Sequence, residues 1–268
     1  MMEITEFRDV RRVRLWTWRT RAAGYDVSAY LLRGVLVDTG FPQVANELVR
    51  AVHALQPRGA IVTHWHEDHA GNAPALARAG LPLWMADFTE RKLREREQVK
   101  LYRHVVWGRP PALRQDYARL DPGPLRIIAT PGHSADHHIV FDPETATLIS
   151  GDLWLGVKVR VMGYGENPYE IIASLGMAIG LRPERMFDAH RGLVDHPVAS
   201  LEAKRAWLQD TVGEVERRLA AGQSDQDILR EVLDGEERMA LVSQGEYSRR
   251  NLVRAVKTFS PRFSAGPR

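Results

Sequence analysis

The stretch that most constrains this chain is residues 61–72, Ile-Val-Thr-His-Trp-His-Glu-Asp-His-Ala-Gly-Asn. A short apolar run, Ala60-Ile61-Val62, reads as the end of a buried strand and leads straight into His64, His66, Asp68 and His69. Side chains two apart on an extended backbone project to the same side, so His64 and His66 converge. Asp68 and His69 follow where the chain turns toward a helix, and they close on the same point from a second direction. A single histidine is more often a surface or core residue. Imidazoles and a carboxylate at this density are what a divalent transition metal requires, zinc being the commonest. The chain has no cysteine, so every metal ligand must be His, Asp or Glu.

The rest of the composition sets bounds. A chain of 268 residues holds one domain of about 200–250 residues, or a domain with an appendage. At 44% hydrophobic and 26% charged, it reads as an ordinary globular protein. The net charge is only +3, and arginines are interleaved with acids. That is a solvated surface rather than a nucleic-acid footprint, so a nucleic-acid partner is not favoured. The N-terminus lacks an apolar leader core, and no stretch approaches the ~18 apolar residues of a membrane span. The expectation is a cytoplasmic protein with no membrane partner.

Periodicity orders the elements. Residues 12–19 alternate as a half-buried strand, and 26–32 and 34–38 read as a hairpin turning at Arg33-Gly34. Residues 43–55 place Val44, Leu48, Val49, Val52 and Leu55 on one helical face, stopped by Pro57 and Gly59. A strand over 60–63, a short helix over Ala73–Ala79 and a strand over Leu81–Met85 follow, the β-helix-β order of an α/β sheet. Residues 89–97 carry opposite charges four apart, such as Glu90 and Arg94, and predict an exposed helix. The segment 86–120 reads equally as a helical excursion on the flank or as a lid with Tyr102, His104 and Trp107 facing the metal. Later come a strand over 125–129, a hairpin of Ile139–Phe141 and Thr147–Ile149 turning at Asp142-Pro143-Glu144-Thr145, and a helix over Pro168–Leu181. The tail predicts helices over 199–221, Ser224–Leu233 and 246–259. Ser224 and Asp227 make an imperfect capping box for the second.

His64-x-His66-x-Asp68-His69 resembles the signature of the metallo-β-lactamase-fold superfamily. Further motifs fall in the order that family follows. Thr130-Pro131-Gly132-His133-Ser134 matches its second motif, Ser150-Gly151-Asp152 its bridging-aspartate motif, and Asp188-Ala189-His190-Arg191-Gly192 its last histidine. The last departs from the Pro-Gly-His-Gly of many relatives in a way that puts Arg191 at the mouth. The resemblance implies an αββα sandwich over residues 1–198 and a C-terminal helical or winged-helix appendage over 199–268. In layout it is closest to the lactamase-beta-2-like and glyoxalase-II-like branches. It further implies His64, His66 and His133 on one divalent metal, Asp68, His69 and His190 on a second, and Asp152 between them. Zinc is the first expectation for both, with manganese or iron as alternatives. His137 and His138 orient the loop in this pattern, and Asp38 of Asp38-Thr39-Gly40 supports the centre from beneath.

The same resemblance implies an enzyme, a hydrolase whose nucleophile is a metal-bridging hydroxide, with Asp68 as ligand and proton acceptor. Asp152 stands where true β-lactamases replace the bridging aspartate. Leu155 stands where quorum-signal lactonases carry a tyrosine. The glyoxalase-II-like thioesterases share all seven ligands, although no glutathione-binding set is evident in the tail. An ester or thioester of a small molecule is therefore the first expectation. An endoribonuclease of the lactamase-beta-2-like type is the alternative, against which stands the lack of clustered aromatics. A mononuclear iron persulfide dioxygenase uses the same scaffold, and a non-enzymatic binding role is disfavoured by the complete ligand set.

Overall fold

A computed structural model describes residues 1–95 and 99–263. In chain order the elements are β1 (Met2–Phe7), β2 (Val10–Leu15), α1 (Trp18–Ala23), β3 (Val27–Leu32), β4 (Val35–Val37), α2 (Ala45–Leu55), β5 (Gly59–Ile61), α3 (Glu67–Ala70), α4 (Ala73–Arg78), β6 (Leu83–Trp84), α5 (Asp87–Glu95) and α6 (Leu101–Val106). Then follow β7 (Arg126–Ala129), β8 (His138–Asp142), β9 (Thr147–Ile149), β10 (Met162–Gly163), α7 (Pro168–Gly180), β11 (Arg185–Asp188), β12 (Gly192–Val194), α8 (Pro197–Ala220), α9 (Asp225–Val232), α10 (Arg238–Val242), β13 (Tyr247–Ser248) and α11 (Arg250–Phe259). They fall into two compact units. The first holds 1–129, 136–152 and 184–195; the second holds 130–135, 153–183 and 196–268.

The first unit is built on two sheets. One has strand order β1-β2-β3-β4-β5-β6, the other β12-β11-β9-β8-β7. The chain is antiparallel through β4 and then switches: β4, β5 and β6 run parallel, as the α2 crossover requires. Every residue of β3 is buried, because this strand is covered on both faces. On one side Leu36, Ala60 and Val62 pack with Leu48 and Ala51 of α2 and Ala73 and Leu76 of α4. On the other, Tyr30, Leu32, Val35 and Ile61 pack with Val140, Ile149 and Phe187 of the second sheet. The α/β class expected from the pattern is what the chain adopts, because strands of this kind are stable only between two apolar layers.

Local chemistry explains where expectation and structure part. The strand expected over 12–19 ends at Leu15, because Thr17 and Thr20 bond reciprocally in a capping box and start α1. β1 escaped the periodicity reading because only its two ends are even half-buried. The helix expected over 89–97 is α5; Arg96 and Glu97 lie outside the described residues. α6 completes the helical character of the 86–120 segment.

In the second unit Asn167 caps α7 by accepting the N–H of Tyr169 and Glu170, and α7 packs along the 24-residue α8. Ser224 caps α9 as the tail sequence indicated. The helix expected over 246–259 begins only at Arg250, because Tyr247 and Ser248 pair antiparallel with Met162 and Gly163. No helix among the described residues is long and apolar enough to cross a membrane.

The β3–β4 and β8–β9 turns of the first unit are joined by a buried carboxylate. Asp142 Oδ2 accepts Arg33 Nε and Thr145 Oγ1, each at 2.8 Å, and Oδ1 accepts the Glu144 N–H at 3.1 Å. Burial pushes the Asp142 carboxyl up, but these donors and the Arg33 charge outweigh it and hold it below its ordinary value. A depressed carboxyl contributes stability that is complete above the unfolded pKa of ~3.9 and is lost as pH falls through the folded value. Asp142→Asn is therefore expected to lower Tm by about a few degrees at pH 7. The gap to wild type should narrow as pH falls below the unfolded value of ~3.9 and vanish once the folded-state carboxyl is protonated too. Thermal denaturation across pH 2.5–7 checks this; a gap independent of pH would contradict it.

Candidate metal centre

The centre of the first unit forms where β5 ends and the chain turns into α3. The turn is held from beneath by Asp38, a buried residue with φ +66° at the end of β4. Its Oδ1 accepts the Thr63 N–H at 2.8 Å and the Thr63 hydroxyl at 2.9 Å, and its Oδ2 lies 2.8 Å from His69 Nδ1. Thr63 Oγ1 in turn lies 3.0 Å from His64 Nδ1. The hydroxyl proton goes to the carboxylate, so Thr63 Oγ1 accepts from His64 Nδ1–H, and His69 Nδ1–H donates to Asp38. His190 Nδ1 lies 3.0 Å from the Asp26 carbonyl. Three imidazoles thus have Nδ1 occupied and Nε2 left as the ligand nitrogen, the arrangement by which metal-binding histidines are oriented.

Six of the seven expected ligands belong to this unit, and it brings them together. His64, His66 and Asp152 each offer an atom within 4.8 Å of the others, and so do Asp68, His69 and His190. Asp152 stands between the two groups. Its Oδ2 is 4.0 Å from His64 Nε2, while its Oδ1 is 3.2 Å from His69 Nε2 and 3.5 Å from His190 Nε2. Asp68 Oδ2 is 3.4 Å from His190 Nε2 and 3.7 Å from His69 Nε2. Four-coordinate zinc, with ligands at ~2.0–2.1 Å, sets neighbouring ligand atoms about 3.3 Å apart. His64 Nε2 and His66 Nδ1, 3.0 Å apart, are close to that spacing. His69 Nε2 is buried without a hydrogen-bond partner, although a carboxylate oxygen lies near it. Donors that face a common point rather than one another fit a divalent cation.

Electrostatics agree. Burial would lower the His190 imidazole, but the Asp152 and Asp68 carboxylates raise it to about 9. Burial opposes protonation of His69 too, yet the charges of Asp152, Asp38 and Asp68 raise it well above its ordinary value. Asp152, which burial would raise, is held well below its usual range by His69 and His190. Buried carboxylates here call for compensating positive charge.

The other residues marked by the sequence have partners of their own. His133 lies in the second unit, on the 130–135 loop, with Nδ1 3.0 Å from Glu166 Oε1. His137 Nε2 accepts the Asp152 N–H at 3.0 Å, and Gly151, at φ +50°, leaves room for that ring: a Cβ there would sit 2.7 Å from His137 Nε2. His138 Nδ1 lies 2.7 Å from the Asp136 carbonyl. The departure at 188–192 has a reason: Asp188 Oδ1 accepts the N–H of both His190 and Arg191 at 2.9 Å, while Tyr30 Oη donates to its carbonyl at 2.6 Å. Trp107 packs edge-on to Phe41 and Tyr25.

Sequence reasoning missed three partners. Glu67, between two ligand positions, is 2% exposed and bonded through both oxygens to Arg103 of α6, at 2.6 and 2.5 Å. Burial raises the Glu67 carboxyl, and the Arg103 charge opposes that rise. Asp136, also 2% exposed, accepts the Trp65 N–H at 2.9 Å and the Thr89 hydroxyl at 2.6 Å, fixing the peptide between His64 and His66. The Trp65 ring lies under Lys92 and Arg103. The one local signal was a glutamate inside the motif. Arg103 is 36 residues away from it, beyond any periodicity.

A family model described as the metallo-beta-lactamase superfamily matches residues 23–190, and the chain belongs to that superfamily. Its relatives include the beta-lactamase-like protein 2 homolog of Drosophila melanogaster, 28% identical over 187 residues, 65% of this chain and 62% of that protein. This agrees with the lactamase-beta-2-like branch. The atrochrysone carboxyl ACP thioesterase of Aspergillus fumigatus is 25% identical over 197 residues, 69% of this chain and 42% of that protein. The matches thus span less than two thirds of either relative. A metallo-beta-lactamase family protein from Thermus thermophilus superposes with a TM-score of 0.68 at 18% identity, over 94% of this chain and 93% of that one. At that identity the likeness is one of fold.

Two expected outcomes follow from the buried groups. Asp38→Ala should weaken divalent-metal binding by about 10- to 100-fold, read by competition with a chromophoric chelator. Arg103→Met should destabilise the protein by about 3–5 kcal/mol, because it strands the Glu67 charge, whereas the Glu67→Met/Arg103→Met pair should recover most of that loss. Urea denaturation of the single and double variants decides; equal losses in both would contradict the assignment.

Proposed function

We propose that this protein is a metal-dependent hydrolase acting on an ester or thioester of a small molecule. The observation that carries the proposal is Asp152, whose two oxygens face separate groups of ligand atoms in the same unit. In this reading His64 and His66, joined by His133 on the strength of its motif, hold one divalent ion. Asp68, His69 and His190 hold a second, and Asp152 is shared. Zinc fits the nitrogen and oxygen donors, and manganese or iron are the alternatives. Such ions, when bound, supply Lewis acidity and lower the pKa of a water molecule toward neutrality.

The chain's own residues do the rest. Asp68 takes a proton from the nucleophile at its carboxylate. Asp38 and Thr63 hold the His69 and His64 imidazoles in the tautomers that turn an unprotonated Nε2 toward the ligand groups. Asp136 and the Glu67–Arg103 pair keep the 64–68 backbone from relaxing when charge changes at the centre. The likeness to a fungal protein named as a thioesterase supports acyl transfer to water.

Phosphodiester cleavage is the second reading. It is favoured by Trp18, 69% exposed with the Arg19 guanidinium over its ring, an aromatic platform of the kind that stacks on bases.

The test is turnover of an acyl-thioester panel and a single-stranded RNA oligomer by the zinc- or manganese-loaded chain. Thioester cleavage that falls by at least about 10²-fold in Asp68→Ala is the expected result. RNA cleavage lost in that variant would establish the second reading in its place. Turnover of neither substrate, with one iron per chain as purified, would overturn the hydrolase reading.

A further inference from the structure

The second unit contains a carboxylate that no motif marks, set against the one expected ligand histidine of that unit. Glu166 Oε1 lies 3.0 Å from His133 Nδ1, and both side chains are nearly buried, at 12% and 9% exposure. The contact occupies the ring nitrogen opposite the one that would meet a metal. Carboxylates placed this way fix the tautomer and the rotation of a ligating imidazole and raise its basicity.

The position of Glu166 is built rather than incidental. Its backbone N–H donates to the Gly163 carbonyl at 3.2 Å, and the next N–H, that of Asn167, donates to the Gly132 carbonyl at 2.8 Å, one residue before His133. Ser174 Oγ, on α7, donates to the Pro131 carbonyl at 2.7 Å. The start of α7 and the 130–135 loop are thus tied at three points. The Glu166 side chain lies flat over Gly163. A Cβ on Gly163 would sit 2.8 Å from Glu166 Oε1 and 3.2 Å from its carboxyl carbon. Gly163 is itself held by the C-terminal segment. It pairs with Tyr247, Met162 pairs with Ser248, and Asn251 Nδ2 donates to the Met162 carbonyl at 3.0 Å.

We propose that Glu166 is the positioning residue of the His133 imidazole, and that the C-terminal segment 247–251 acts on metal affinity by bracing β10 beneath it. The proposal rests on the ligand role of His133 in the reading above. It gives the tail a part in the metal centre, where the sequence offered only helices of undefined purpose. The group involved supplies no atom to substrate; it acts through His133 alone.

The test is zinc affinity and stoichiometry of the full-length chain, by competition with a chromophoric chelator, for wild type, His133→Ala, Glu166→Ala, Glu166→Gln and Gly163→Ala. Thermal denaturation of each metal-free protein runs beside it. The wild type is expected to bind two equivalents and His133→Ala to lose tight binding of one. Glu166→Ala should weaken that same equivalent by about 10- to 100-fold with little change in metal-free Tm. Glu166→Gln keeps a hydrogen-bonding oxygen without the charge and should fall between. Gly163→Ala, which leaves Glu166 in the sequence but displaces its carboxylate, should reproduce the Glu166→Ala loss. Wild-type affinity at both equivalents in Glu166→Ala, beside a clear loss in His133→Ala, would overturn this inference and leave the proposed function standing. No effect of His133→Ala would overturn this inference together with the ligand role of His133, and no zinc, manganese or iron bound by the wild type would overturn the proposed function as well.

Discussion

The centre depends on one buried carboxylate. Asp38 sits at the end of β4 in a left-handed conformation, and both of its oxygens are used, one on the Thr63 amide and hydroxyl and the other on His69. A buried carboxylate is costly unless every lone pair finds a donor. Here the donors are the residues that orient two imidazoles. Relaxing any one of them leaves either a charge or an imidazole N–H unsatisfied in a dry interior. The cost of burying Asp38 is therefore what makes the histidine geometry rigid, and that rigidity turns Nε2 of His64 toward one oxygen of Asp152 and Nε2 of His69 toward the other.

The second layer of restraint uses charge in another way. The backbone from His64 to Asp68 is gripped on two sides, by Asp136 through the Trp65 amide and by Arg103 through Glu67. A buried ion pair contributes little net stability, but breaking it is severe, so it fixes register more than it adds free energy. Through Arg103 and Thr89, α6 and α5 are fastened to the metal-binding turn. Trp65, under Lys92 and Arg103, is held by the same fastening. The 86–120 segment thus touches the centre through its inward polar side chains. Leu101 and Val105, also on α6, remain exposed.

How much was legible depended on the range of each interaction. The helix over 45–55 and the hairpins at 33–34 and 142–147 follow from apolar periods of 3.6 and 2 with turn residues between them, all within one element. β1 carries almost no buried side chain and so left no pattern. α1 is fixed by a reciprocal Thr17–Thr20 cap within a stretch that otherwise alternates like a strand. β13 is two residues long and exists only because β10 is there to pair with it. Local signals report what an element will bury, and they are silent where the partner alone creates the element.

By itself, the sequence determined the superfamily, the α/β class and the candidate ligands, because His64, His66, Asp68 and His69 lie within one strand-to-helix turn, and His133, Asp152 and His190 each sit in a short motif in the expected order. Spacing on a strand decides which side chains converge, and that is a local property. Only the tertiary structure decided which ring nitrogens face the ligand groups, that Asp152 turns one oxygen to each of them, and that Asp26, Glu67–Arg103, Asp136 and Glu166 hold the turn and the loops. Those partners lie up to 164 residues from the groups they hold. A buried polar atom accepts whichever donor the fold brings to it, and the chain between them carries no record of that choice.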